Sequence, residues 1–143
     1  MGWRDMTPEE AATLPEARLG GALLCMVVAA LLLCVVAIVG AALAFQQLRD
    51  VGGRYTLAVG FVTAWSVAFV VLTLLRARVT PVVASAGLVV WIAYRFSVAL
   101  LSQAGWPLAI DLLGEAMLVA GFCGYMAGGV RPNAYYRRRL PTS

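Results

Sequence analysis

The sequence predicts an all-α membrane protein: four transmembrane helices in an antiparallel bundle, with both termini on the cytoplasmic side. Three observations predict it. Of the 143 residues 62% are hydrophobic and only 13% charged, too apolar for a small soluble domain, whose surface is large relative to its volume. The apolar residues fall into four runs, about 19–45, 55–75, 81–101 and 106–129, and a helix needs about 20 residues to cross a bilayer. The arginines between the runs are divided unevenly: Arg4, Arg18, Arg76, Arg78, Arg131, Arg137, Arg138 and Arg139 on one side, Arg49 and Arg54 on the other. That bias puts the arginine-rich side in the cytoplasm.

Residues 1–18 form a polar N-terminal segment. Thr7-Pro8-Glu9-Glu10 has the grammar of a helix start, with Thr7 as N-cap, proline at the first helical position and Glu10 closing a capping box. Pro15 interrupts soon after, so a short helix at the membrane surface is expected. The first span, from Leu19 to Phe45, carries no charge. Its Ala30, Ala37, Ala41 and Ala44 make a stripe of small residues suited to close packing. A polar loop, Gln46 to Arg54, leads to the second span, Tyr55 to Leu75. The hydroxyls of Thr56, Thr63, Ser66 and Thr73 recur there at helical spacing and are expected to face the bundle rather than lipid.

Pro81 opens the third span after a tight basic turn, Arg76 to Thr80. The turn between the third and fourth spans is Ser102-Gln103-Ala104-Gly105-Trp106-Pro107, broken by glycine and proline. In the fourth span Ala116, Ala120, Gly124 and Gly128 repeat every four residues, a small-xxx-small pattern read as helix packing within the chain. The tail, 130–143, combines Arg131 and Arg137 to Arg139 with Tyr135 and Tyr136. At the end of a span these arginines are expected to contact anionic lipid headgroups. The cluster is too short, and too close to the bilayer, for a nucleic-acid partner to be expected.

Three charges lie inside the last two apolar runs. Counting from the turn, Arg95 is about 10 Å deep, Asp111 about 6 Å and Glu115 about 12 Å at the rise of a helix. Asp111 and Glu115 are four residues apart and share a face. Each such charge costs about 2.5–3.5 kcal/mol at the centre of a span, and guanidinium does not escape by losing its proton. Arg95 is therefore expected to pair with Asp111, Glu115 or both.

The remaining chemistry is sparse. All 11 basic residues are arginine and there is no histidine, so neither metal nor cofactor is expected. Cys25, Cys34 and Cys123 lie in apolar runs without CxxC spacing and read as buried, inert thiols. No phosphate-binding loop or nucleophile–base motif is present, and an enzyme is not expected.

Gly20-Gly21 before the first span, Arg76-Ala77-Arg78-Val79-Thr80-Pro81 between the second and third, and a last span running through Tyr125 into a basic, aromatic tail occur together here. In this layout the chain resembles the bacterial inner-membrane domain-of-unknown-function 2569 family. The family's ending, typically a tyrosine followed by Ser-Lys-Arg-Val-Lys, is replaced by Val130-Arg131-Pro132-Asn133-Ala134-Tyr135-Tyr136. The resemblance implies a small multi-pass inner-membrane protein and carries no activity with it.

The reading is thus an accessory, assembly or structural subunit that packs against other membrane proteins or itself. The alternative is a proton-linked or small-solute transporter or channel component using Arg95, Asp111 and Glu115. A reporter fused after Ser143 is expected to score cytoplasmic, and one inserted in the Gln46–Arg54 loop periplasmic. The reverse result would overturn the topology.

Overall fold

Four helices long and apolar enough to cross a membrane follow one another in the computed structural model, which describes residues 2–43, 53–101 and 106–142. They are α2 (Gly21–Leu43), α3 (Gly53–Leu74), α4 (Thr80–Leu101) and α5 (Trp106–Gly128). At 22 or 23 residues each, they are roughly 33–35 Å long, enough for a hydrocarbon core of about 30 Å. The expected loop from Gln46, with Arg49, and the turn residues Ser102 to Gly105 lie outside the described residues.

The chain divides into two compact units, one of Arg18–Ala77 and one joining the residues up to Ala17 to those from Arg78 onward. In the first unit α2 packs against α3. Leu23, Val27 and Ala30 of α2 are buried, and Cys34, Ala37 and Ala41 continue the same line half-buried. Steps alternating between four and three keep this line on one face, so the described part of the alanine stripe points inward. On α3, Ser66 and Thr73 are fully buried, Thr63 is half-buried and Thr56 is exposed. The hydroxyl face thus turns inward along most of its length. Cys25, expected to be buried, is exposed on the outer face of α2.

The end of α3 is closed by backbone geometry. Arg76 is left-handed (φ 51°), its N–H donates to the Thr73 carbonyl (3.0 Å), and the Ala77 N–H donates to that of Leu72 (3.0 Å). This pair of bonds is a Schellman stop, with arginine where glycine is more usual. The start of α2 has the converse solution. Gly21 has φ 54°, a conformation that costs glycine nothing, and it turns the chain sharply into the first span.

In the second unit α4 packs against α5, and the two terminal segments fold onto one another. Strand β1 (Trp3–Asp5) pairs antiparallel with β2 (Arg139–Pro141), Arg4 opposite Leu140. These two short strands stand outside the all-helical expectation. At the two ends of this ladder, Met6 N–H donates to the Arg138 carbonyl (2.8 Å) and Thr142 N–H to that of Gly2 (2.9 Å). Helix α1 (Pro8–Thr13) starts with the expected capping box, both reciprocal bonds of Thr7 and Glu10 being present. The tail continues from α5 through a helical turn, Val130–Pro132, and a π-turn, Asn133–Arg137.

This tail is a packed structure rather than a solvated run. Asn133, Ala134, Tyr135 and Tyr136 are all buried, and the two tyrosine rings meet edge to face at 5.0 Å. Asn133 Nδ2 donates to the carbonyls of Ala127 (3.1 Å) and Gly129 (2.9 Å). Its Oδ1 accepts from Arg137 Nη1 (3.0 Å). Carbonyls at a helix end have no partner within the helix, and a buried asparagine fills that need here.

Arg4 grips Glu10 with both guanidinium arms, at 2.6 and 3.0 Å. The hydrogen bonds from Arg4, then that from the Thr7 backbone, lower the Glu10 pKa from 4.5 to about 2. Because the folded value lies below the unfolded one, this contribution to stability is complete above about pH 4.5 and is lost as pH falls toward 2. An NMR titration of the Glu10 carboxyl should show a midpoint near 2, moving back toward 4.5 in Arg4→Leu. A midpoint near 4.5 in the unmodified protein would contradict the clamp.

Candidate functional site

Arg95 and Glu115 meet inside the α4–α5 pair. Arg95 Nη2 donates to Glu115 Oε1 at 2.8 Å and Arg95 Nε to Oε2 at 3.2 Å. Two parallel bonds between a guanidinium fork and a carboxylate are the strongest form such a contact takes. The helices set it up by register: α5 turns Leu112, Glu115, Val119, Phe122 and Met126 to its buried or half-buried side. Glu115 therefore occupies a place in the packed seam that an apolar residue would otherwise fill, and Arg95 reaches it from α4.

Of the two carboxylates named from the sequence, the structure brings only Glu115 to Arg95. Asp111 is exposed, and its side chain makes no hydrogen bond or ion pair with the described residues. Four residues along a helix is a turn of about 400°, so Asp111 sits about 40° round from Glu115 and about 6 Å along the axis. Both donor positions used by Arg95 are already directed at Glu115. The two side chains of the pair are 32% and 35% exposed. The pair is therefore only partly enclosed between α4 and α5.

Among the described residues, most of the small-residue stripe of the fourth span lies off the seam that α5 shares with α4. Ala116 is half-buried, while Ala120, Gly124 and Gly128 are exposed. A methyl group added at Gly124 or Gly128 would meet nothing within 4 Å. The cause is the spacing itself. A repeat of four drifts about 40° per step, so three steps carry it about a third of the way round the helix. The seam that does pack alternates threes and fours.

The four tail arginines have distinct settings. Arg131 Nη1 donates to the Pro15 carbonyl (3.2 Å), and Arg137 is held by Asn133. Arg139 Nε bonds Asp5 Oδ1 (3.2 Å). Arg138 is exposed, left-handed (φ 53°), and its side chain makes no contact of this kind with the described residues. Asn133 and the tyrosine pair were not singled out from the sequence as structural residues. The available signal was an asparagine just beyond a Gly-Gly helix end, a residue type that suits such ends.

No protein-family model matches the chain, and neither a curated protein nor a solved structure does.

Removing one partner of a buried pair is far worse than replacing both. Arg95→Leu or Glu115→Leu alone should lower membrane accumulation about threefold or more, on the scale by which small stability losses change abundance. The Arg95→Leu/Glu115→Leu double variant should recover most of it. Quantitative immunoblots of membrane fractions would decide, and a double variant as depleted as the singles would contradict the pairing.

Proposed function

We propose that this chain is a small accessory or structural subunit of a membrane assembly, without catalytic activity, anchored by four antiparallel spans in a bacterial inner membrane. The observation that carries the reading is the closed, bidentate Arg95–Glu115 contact. A guanidinium locked on a carboxylate by two bonds fixes the register of two helices. Both carboxylate oxygens of Glu115 already accept from Arg95, and a guanidinium does not give up its proton, so the contact reads as a lock rather than a relay.

Two further features support a role in packing against other proteins. The ion pair is only partly enclosed by α4 and α5, and hydrocarbon is a poor neighbour for it. The glycines of α5 leave an open face along the helix that would let another backbone approach closely. The orientation, both termini cytoplasmic, is supported by the arginine bias and by the pairing of β1 with β2, which requires the two ends on one side of a membrane. The layout resemblance to an inner-membrane family points the same way.

Asp111 favours a second reading. A carboxylate outside the ion pair and one turn from it is what a proton-linked or solute-binding site in a transporter component would need.

Two preparations separate the readings. Extracted from its native membrane in polymer nanodiscs, the protein should have the mass of an assembly with a fixed ratio of a second membrane protein. Purified alone in proteoliposomes, it should pass no more protons than empty liposomes. A proton flux abolished by Asp111→Asn would overturn the subunit reading in favour of transport.

A further inference from the structure

The terminal segments carry opposite charge. Residues 2–17 hold Asp5, Glu9, Glu10 and Glu16 against a single Arg4, while residues 130–142 hold Arg131, Arg137, Arg138 and Arg139 with no acid. The structure lays the acidic strap on the basic tail through β1 and β2, through Arg139–Asp5 and through Arg131 on the Pro15 carbonyl. The 3₁₀ turn Pro15–Ala17 packs against the π-turn of the tail, where Ala17 is buried.

These contacts are individually weak. A two-stranded ladder of three residues is marginal on its own. The Arg139–Asp5 pair is a single 3.2 Å contact with side chains 54% and 84% exposed, a setting in which ion pairs contribute little. The firmer parts lie within each half: Arg4 is clamped on Glu10 inside the strap, and Asn133 ties the tail to the end of α5. Each half is therefore held in shape independently of its contact with the other.

We propose that the strap is a cover that keeps the tail from anionic lipid and is displaced by it. The tail leaves α5 at Gly128, so its arginines stand at the level of the headgroups; this rests on the membrane assignment made above. Anionic headgroups attract a basic segment at that level and repel the strap, whose carboxylates outnumber its arginine. A ligand shifts such an equilibrium only by binding one state better. The open state frees Arg139 from Asp5 and Arg131 from Pro15 and takes the acidic strap away from the surface, so anionic lipid binds it better. Arg138, exposed in the closed state, supplies the first contact. The closed clasp belongs to a neutral surface and the open one to an anionic surface.

Two amides report the clasp directly, Met6 N–H on the Arg138 carbonyl and Thr142 N–H on that of Gly2. Two others report helix integrity, Ala11 N–H on Thr7 within the strap's own helix and Arg76 N–H on Thr73 outside both segments. Exchange of all four would be followed by NMR in the full chain, in nanodiscs of phosphatidylcholine and in discs with phosphatidylglycerol added. Exchange at Met6 and Thr142 should rise about tenfold in the anionic discs, the scale of one or two arginine–headgroup contacts, with Ala11 and Arg76 unchanged. Arg138→Gln/Arg139→Gln should abolish the lipid dependence. Equal slow exchange in both discs would overturn the proposal, as would equal fast exchange, which would mean that no clasp forms. A general rise that includes Ala11 and Arg76 would show loss of structure instead of opening and would also overturn it. Failure of the chain to enter discs at all would contradict the membrane assignment itself, a result distinct from any of these.

Discussion

An arginine inside an apolar helix keeps its charge, and hydrocarbon offers that charge no counter-ion. Much of the α4–α5 pair follows from this constraint. Arg95 needs an acceptor at its own depth, so the facing helix gives up a seam position to Glu115. The register of the two helices is then no longer free, because sliding by one residue would turn Glu115 about 100° away from its partner. Apolar packing alone tolerates several registers at similar cost, whereas a bidentate ion pair admits few. The pair need not add net stability to serve this purpose. It makes the alternatives worse.

The other unit solves a different problem with different means. Helices α2 and α3 carry no ion pair among the described residues and lean on a line of small and aliphatic side chains against a face of buried hydroxyls. Ser66 is fully buried with its hydroxyl unpartnered in the described structure, while α3 ends in a backbone stop at Arg76. Outside the spans, strap and tail link residues more than 130 positions apart. That contact closes only after all four helices and the segment beyond them have been made. It draws the segment preceding α2 onto the segment that follows α5.

The parts of this structure that depend on local order were legible in the sequence. The four spans follow from run length, and the capping box of α1 from Thr7 and Glu10. The need of Arg95 for a carboxylate follows from electrostatics, since any charge at that depth must be met. The choice of Glu115 over Asp111 was not legible, because both lie on one turn and only the helix–helix register separates them. The four-residue repeat of Ala116, Ala120, Gly124 and Gly128 does not follow the α4–α5 seam for a geometric reason: a helix has no four-residue period, and Gly124 and Gly128 drift off that face. The clasp left no periodic trace at all. Tyr135 and Tyr136 look like an interfacial belt until the tail folds and buries them. In hindsight the opposite charges of the two terminal segments were the one available hint.

The central claim is that Arg95 and Glu115 are bonded to each other within the bilayer. Solid-state NMR in lipid bilayers reads this directly, by dipolar recoupling between the labelled guanidinium nitrogens of arginine and the labelled side-chain carboxyl carbons of glutamate and aspartate. Only Arg95, among the eleven arginines, lies within an apolar span, so its signal can be assigned by loss in Arg95→Leu. The account predicts strong coupling of the Arg95 guanidinium to the Glu115 carboxyl and none to that of Asp111. Coupling to Asp111 alone, or to neither carboxyl, would contradict it.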